Sequence, residues 1–432
     1  MARIAVVTAT PPFAEGGHLV LARVLVRALR EHGHESALVT TPSNRWGQQA
    51  RAYLATYLTD VGLTGHAQKI DQVITLRFPS YAVRHENHVC WLNHTMREYY
   101  DLWHVIRPGM SWRALIKETA RRKAIHAADT YLFKHNVSKM FVLSKNVQSR
   151  VTRWNGVASE VLYPPAPHRN YRCEGYDDFL FVYSRLAPLK RIGLIIDALA
   201  TGAAAGVRCV IAGEGEQQEE LAARIRLHAL EHRVTMVGHI SDDQLTDYLA
   251  RCRAVCFVPK DEDFGMVTLE AFASGKAVIT VSDSGAPTEL VTPGVYGDVA
   301  EPDPASLGLA IGTLMNDAAG AERMGQAAAA RAAEINWTTT VERLVRRGHV
   351  HELPHAARIA RGQESWRRDQ RLQHDRRGRP HHGRTLGRQR QLGADSGARH
   401  VASTRAREVF DRRRQCRFGL QGIQAPTDHE GV

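Results

Sequence analysis

The segment Tyr163-Pro164-Pro165-Ala166-Pro167 does most to limit what this chain can fold into. Three prolines in four residues continue neither a helix nor a central strand, so the residues before and after it must fold as separate units. On both sides short apolar runs alternate with longer helical stretches. Upstream the strand-like runs fall at 3–9, 36–40, 72–76, 89–92 and 139–143, with a helix over 18–32 and a mostly helical insertion, rich in Tyr, Trp and Arg, over 97–136. Downstream they fall at 179–183, 208–212, 234–237, 254–258 and 277–281, with helices over 192–200, 305–315 and 319–333. Such alternation predicts parallel sheets covered by helices. The expected division is 1–163 for a first domain and 168–337 for a second, then a remnant of a crossover helix over 338–348 and a tail over 349–432. At 432 residues the chain is long enough for two cores.

The net charge of +12 sits at one end. Residues 346–432 hold 20 Arg, no Lys and 9 acids, whereas residues 1–345 carry 37 basic against 36 acidic side chains. A neutral body lacks the electrostatic footprint of a nucleic-acid-binding domain, and no nucleic-acid partner is expected. In the Arg/His-rich tail about one residue in six is Val, Ile, Leu, Phe, Trp or Met, too few to bury a core, so disorder is expected there. Its sudden loss of lysine reads as a shifted reading frame in a GC-rich gene, and a cationic arm is the rival reading. No apolar run approaches a membrane span, and the run at 4–9 is too short, and too soon followed by Pro11-Pro12, for a secretory signal. A cytoplasmic location is expected, with peripheral contact at the inner face of the membrane. The six cysteines form no C-x-x-C pair and are expected to be reduced core residues.

The chemistry concentrates at strand exits. Glu262-Asp263-Phe264-Gly265-Met266-Val267-Thr268-Leu269-Glu270 follows the strand-like run ending at Pro259 and leads into a helix stopped by Gly275. The backbone N–H groups of Gly265, Met266 and Val267 at that helix start suit an anion, and the carboxylates of Glu262 and Glu270 suit sugar or ribose hydroxyls. A nucleotide sugar is the ligand that satisfies both. Arg185 and Lys190, five apart on another strand-exit loop, are placed to hold a diphosphate. Alone, such a pair is usually a solvated face.

Taken in order, Ser184-Arg185-Leu186 with Lys190, Val210-Ile211-Ala212-Gly213-Glu214-Gly215, Val237-Gly238-His239-Ile240-Ser241, the 262–270 junction and Asp283-Ser284-Gly285-Ala286-Pro287-Thr288-Glu289 resemble the donor domain of family 4 retaining glycosyltransferases. Gly16-Gly17 and Gly33-His34-Glu35 resemble that family's N-terminal domain, and Trp337 the tryptophan before its final crossover helix. The resemblance implies the GT-B architecture, two Rossmann-like α/β domains facing across a cleft, with the acceptor held by the first and the nucleotide sugar by the second. It implies that Arg185 and Lys190 bind the diphosphate in place of a metal ion, that Glu262 contacts the transferred sugar, and that Glu270 takes the ribose. Gly265, Met266 and Val267 would offer amides, the loop Gly238, His239 and Ile240 would lie against the base, and Gly17 would approach the donor phosphate. Within Trp91-Leu92-Asn93-His94-Thr95, His94 stands where the family has its cleft histidine. Ala286 departs from the pattern, which often has a second glycine there.

The implied activity is metal-independent transfer of a hexosyl group, with retention, to a saccharide or lipid-linked acceptor. It needs no cofactor beyond the donor, and it suits polysaccharide, lipopolysaccharide or glycolipid synthesis. Another GT-B activity such as epimerisation, or an Arg-tailed binder of anionic polymers, is the alternative. Asp261-Glu262-Asp263 also spells the D-x-D of metal-dependent transferases, and Asp263-Phe264-Gly265 a kinase signature, but the kinase's other segments are missing. Gly213-Glu214-Gly215 lacks the third glycine of a dinucleotide fingerprint. His85, His88, Cys90 and His94 match no zinc spacing. The aromatic cluster Tyr99, Tyr100, Trp103 and Trp112 is expected to pack in the core rather than form an acceptor platform.

Overall fold

A computed structural model describes residues 1–11, 16–43 and 47–345. The tail over 349–432, the last residues of the crossover segment and Cys416 lie outside the described residues.

The first domain holds six parallel strands, β1 (Arg3–Thr10), β2 (Glu35–Pro42), β3 (Gln72–Thr75), β4 (His88–Leu92), β5 (Lys139–Val142) and β6 (Glu160–Val161), in the order β2-β1-β3-β4-β5-β6. The second holds β7 (Asp177–Tyr183), β8 (Cys209–Ala212), β9 (Val234–Gly238), β10 (Cys252–Cys256), β11 (Ala277–Val281) and β12 (Gly297–Ala300), in the order β12-β11-β10-β7-β8-β9. Every pairing is parallel, with Val6 opposite Leu38 and Phe181 opposite Val210. Parallel strands carry helices on both faces and are buried on both, and β4 and β11 accordingly have every residue buried. This is why those strands read as unbroken apolar runs rather than alternating ones. The short strands β6 and β12 were not legible, since two and four residues give no pattern.

The order of each sheet reverses once, between β1 and β3 in the first and between β7 and β10 in the second. Loops leaving the carboxyl ends of strands on either side of such a reversal splay apart and leave a crevice for ligand. The chain places Gly17 and Arg77 beyond one reversal, and Lys190 and Glu262 beyond the other.

Residues 163–176 form an extended linker, as the prolines require. Trp337 opens the helix Trp337–Leu344, donates from Nε1 to the Ala166 carbonyl at 3.2 Å and meets Trp91 edge-on at 6.3 Å. That helix packs on the first domain, where Gln72 donates to the Leu344 carbonyl at 2.7 Å.

The insertion over 97–136 contains a 24-residue helix, Trp112–His135, started by Ser111, whose hydroxyl accepts the Ala114 N–H. Asp129 on this helix is fully buried, a costly place for a carboxylate, and it is met by the hydroxyls of Tyr53, Tyr81 and Tyr100, the last two at 2.6 and 2.7 Å. Tyr99 and Tyr100 are core residues as expected, but Trp112, the first residue of the helix, is 68% exposed. Of the described cysteines four are buried and reduced, whereas Cys173, in the linker, is exposed. Among the described residues no helix is long and apolar enough to cross a membrane.

Candidate active site

Local backbone geometry builds the strand-exit loops of the second domain. β7 ends at Tyr183 and its exit loop is held by the next strand's loop, with Leu186 N–H donating to the Glu214 carbonyl at 2.9 Å. Gly213, at φ +131, comes so close that a Cβ would fall 1.9 Å from the Ser184 carbonyl oxygen, which only glycine allows. Lys190 closes a short helical turn over Pro188–Lys190. Beside it Arg191 donates to the Val258 and Pro259 carbonyls at 2.8 and 2.7 Å and pairs with Asp283 at 2.6 Å, fastening the β7, β10 and β11 exits together.

Within that frame Lys190 Nζ lies 2.6 Å from Glu262 Oε2 and 5.4 Å from the centre of the Phe257 ring. Glu262 forms a parallel bridge to Gly285, its N–H donating to the Ser284 carbonyl at 2.8 Å and its carbonyl accepting the Ala286 N–H at 3.0 Å. Gly285 is at φ +76 and a Cβ there would lie 2.7 Å from both backbone polar atoms of Glu262. Ala286 adopts φ −56 and is fully buried, a conformation that needs no glycine. Gly265, at φ +74, is the N-cap of the helix Met266–Ala273, and no side chain caps it. The N–H groups of Gly265, Met266 and Val267 meet no acceptor among the described residues. Gly17 opens the helix Gly17–Glu31 opposite, and a Cβ on it would lie 3.1 Å from Met266 Cε. The fold thus brings Gly17, Lys190, Glu262, Gly265, Met266 and Val267 together, while Arg185 is exposed and has no ion pair among the described residues.

Glu270 lies deeper, 4% exposed, with Arg169 and Tyr171 at Oε1 and Tyr183 donating to Oε2 at 2.8 Å. Burial raises its pKa, opposed chiefly by Arg169. The loop at Gly238, His239 and Ile240 follows β9, with Gly238 at φ +70, His239 exposed and Ile240 half-buried.

His94 sits beyond β4 with Nδ1 2.7 Å from the Thr95 carbonyl, which assigns the proton to Nδ1 and leaves Nε2 as an acceptor. Burial first, and then the charge of Arg77, lower its pKa to about 4, so it is neutral at physiological pH. Two neighbours were not foreseen. His18 has a buried Nε2 without partner among the described residues and a pKa lowered to about 3 by burial and by Arg77, and Arg77 has a buried Nε likewise without partner among them. Arg77 follows β3 at the first sheet's reversal, so the strand-end rule would have pointed to it.

The acidic triplet divides its side chains between two partners. Glu262 faces Lys190, while Asp261 and Asp263 turn to arginines of the first domain. Arg150 pairs with Asp261 at 2.8 Å and with Asp263, and Arg97 reaches Asp261 at 3.3 Å, Asp263 at 3.6 Å and Asp101 at 2.7 Å. Arg97 and Arg150 hold the Asp263 carboxyl below the usual carboxylate range against the effect of burial. Ser144 Oγ donates to the Asp263 carbonyl at 2.6 Å, and the carboxylate of Glu289 accepts the N–H groups of Lys145 and Asn146 at 2.8 and 2.7 Å, capping the helix Lys145–Asn155 from the other domain.

Residues 168–331 match the profile of the glycosyl transferases group 1 family. The chain is similar to glycogen synthase of Mycobacterium tuberculosis, at 35% identity over 136 residues, which is 31% of this chain and 33% of the relative. It is also similar to human alpha-1,3/1,6-mannosyltransferase ALG2, at 34% over 119 residues and 28% of each chain. The chain therefore spans about a third of the length of the curated relatives it matches. Over the whole fold it superposes on sucrose-phosphate synthase from Thermosynechococcus elongatus, with TM-score 0.61 and 18% identity, covering 79% of this chain and 97% of the other. Anabaena Alr3699/HepE, solved in complex with UDP and glucose, gives TM-score 0.58 and 18% identity, covering 78% and 97%. The architecture is GT-B. The second domain, over residues 168–331, resembles the group 1 glycosyl transferases.

Proposed function

We propose that this protein transfers a hexosyl group from a nucleotide-sugar donor to a hydroxyl of a saccharide or lipid-linked acceptor, with retention and without a metal ion. The observation that carries this reading is the Lys190–Glu262 pair, seated between two strand exits beside the open amides of Gly265, Met266 and Val267, inside the segment matched to the family. On donor binding the diphosphate takes Lys190, the amides and Arg185, and a sugar hydroxyl takes the Glu262 carboxylate. Glu270 has one lone pair of Oε2 left beyond its bond to Tyr183 for a ribose hydroxyl, and the loop 238–240 faces the base.

As the bond from the anomeric carbon to the phosphate oxygen breaks, negative charge grows on that oxygen, and Lys190 is placed to stabilise it. The same oxygen takes the proton of the acceptor hydroxyl as the new bond forms on the same face. Neutral His94 accepts a hydrogen bond near the sugar. Asp261 and Asp263 already face two guanidinium groups, so a divalent ion would have to displace both, which favours a metal-free site. We place the reaction in the cytoplasm, at the inner face of the membrane where the acceptor is lipid-linked.

Thermal-shift screening of the full chain against UDP, GDP and ADP sugars should single out one nucleotide, with UDP-glucose a first probe after the Anabaena neighbour. Incubation of that donor with acceptor saccharides in EDTA should give a product that keeps the donor's anomeric configuration by NMR. Stabilisation by none of the three refutes the donor site, loss of turnover in EDTA refutes metal independence, and donor conversion without acceptor favours epimerisation.

A further inference from the structure

Glu270 is held by two elements besides its own helix. Tyr183 comes from the end of β7, Tyr171 and Arg169 come from the linker, and of these only Arg169 is a cation. The second nitrogen of Arg169 reaches Asp242 at 2.9 Å. Asp242 begins the helix Asp242–Arg251, which Ser241 caps and joins to the loop 238–240. The guanidinium is itself largely covered, with a side chain 15% exposed and a buried Nε that has no partner among the described residues. A carboxylate this deep, beside a site for a diphosphate, either loses its charge or repels the ligand unless a cation accompanies it.

We propose that Arg169 is a positioning residue for the nucleotide: its guanidinium keeps Glu270 as an oriented carboxylate, and through Asp242 it ties that carboxylate to the base-side loop. The proposal rests on the donor-site reading above. With Arg169 in place, ribose hydroxyls meet an ionised acceptor whose charge is compensated, and the ribose and base seats move as one piece. Burial and the charge of Asp242 push Glu270 towards its neutral form, while Arg169 and the hydroxyls of Tyr171 and Tyr183 pull the other way. Without Arg169 only two phenols oppose burial. A protonated Glu270 donates where it should accept, so nucleotide affinity would fall on acidification at a higher pH.

The test uses the full chain labelled with 13C at the glutamate carboxyls, the Glu270 signal being identified by its loss in Glu270→Gln. In Arg169→Gln that carboxyl should titrate at least one pH unit higher than in the wild type, and Arg169→Lys should return it most of the way. Lysine keeps the charge and covers the case in which the glutamine variant folds poorly. In calorimetric titrations with UDP, GDP and ADP, the nucleotide that binds should lose affinity on acidification at least one pH unit higher in Arg169→Gln, and the double variant Arg169→Gln/Glu270→Gln should lose that dependence. An unshifted Glu270 titration overturns the proposal, even where a nucleotide binds and the donor reading stands. A shifted titration in a wild type that binds none of the three nucleotides overturns the donor reading, and with it the role of Arg169 in nucleotide binding.

Discussion

Replacing Lys190 with alanine should separate catalysis from folding. The Lys190–Glu262 pair is short, at 2.6 Å, but its side chains are 20% and 21% exposed, so water already screens it and the net stability it supplies is about 0.2–1 kcal/mol. Its loss strands no charge in a dry interior, because Glu262 keeps its access to solvent. For a unit of this size that corresponds to ~2 °C or less in Tm. The departing diphosphate of the proposed reaction is a different matter. Lys190 is held by its own turn and by the Phe257 ring, so in that reaction it would meet the oxygen on which charge develops already in place. Deleting one pre-aimed donor costs roughly 3–4 kcal/mol in the transition state, or about 10²–10³ in kcat. The assay is kcat at saturating donor, beside calorimetric Tm and donor Kd. Expected are a fall of at least a hundredfold in kcat, a shift of a few degrees at most in Tm, and a smaller change in Kd. The companion variant Lys190→Ala/Glu262→Gln should be about as stable as Lys190→Ala and recover none of the turnover. A kcat within about fivefold of wild type would refute the assignment, as would a loss of turnover explained by collapse of Tm.

Three further outcomes follow from the same geometry. Gly285→Ala places a methyl 2.7 Å from Asn146 Nδ2 and from Glu262 N and O, at φ +76; about 1–2 kcal/mol of backbone strain plus displacement of Glu262 should lower both Tm and donor affinity, and a variant with neither changed contradicts the loop geometry. Arg150→Met leaves Arg97, at 3.6 Å, as the cation paired with Asp263 among the described residues, and should cost ~1–3 kcal/mol at neutral pH. Because the folded pKa of Asp263 lies below its unfolded value, that stabilisation exists above pH ~3.8 and is lost on acidification, so the two proteins should converge in acid; a constant difference down to pH 3 would exclude the pairing as its cause. His18, His88 and His94 have folded pKa values lowered to about 3, 3 and 4, so below pH ~6.5 the unfolded chain binds more protons than the native one. Stability should therefore fall between pH 6.5 and 4 by up to ~1.4 kcal/mol per unit per histidine, partly offset by Asp129, whose pKa is raised to about 6. Denaturant melts over that range should be flatter in His94→Gln, and an unchanged slope would contradict a buried neutral His94.

What the sequence made legible was whatever the chain writes locally. A parallel strand buried on both faces is a run of apolar residues, and the loop at its carboxyl end follows within a few positions, so Lys190, Glu262 and the Gly265–Val267 amides could be placed from their own neighbourhoods. The partners that set the state of these groups come from far away in the chain. Arg97 and Arg150 approach Asp263 across more than a hundred residues, and Arg169 approaches Glu270 across 101, so no window of sequence contains both ends of either contact. A surface arginine and a guanidinium lodged on a buried carboxylate are spelled alike. The reading of Glu270 as a ribose acceptor missed Arg169 for that reason, and the D-x-D spelled by Asp261-Glu262-Asp263 did not show that alternate side chains answer to different domains. The triplet bridges them: residues at 261 and 263 point one way to Arg97 and Arg150 while Glu262 points the other way to Lys190, so the backbone bridge at Gly285 fixes both the interdomain contact and the donor-side carboxylate at once. A change that loosens one should move the other, which is why the Gly285 and Arg150 variants are expected to share a weakened donor site though neither residue carries a group assigned to the donor.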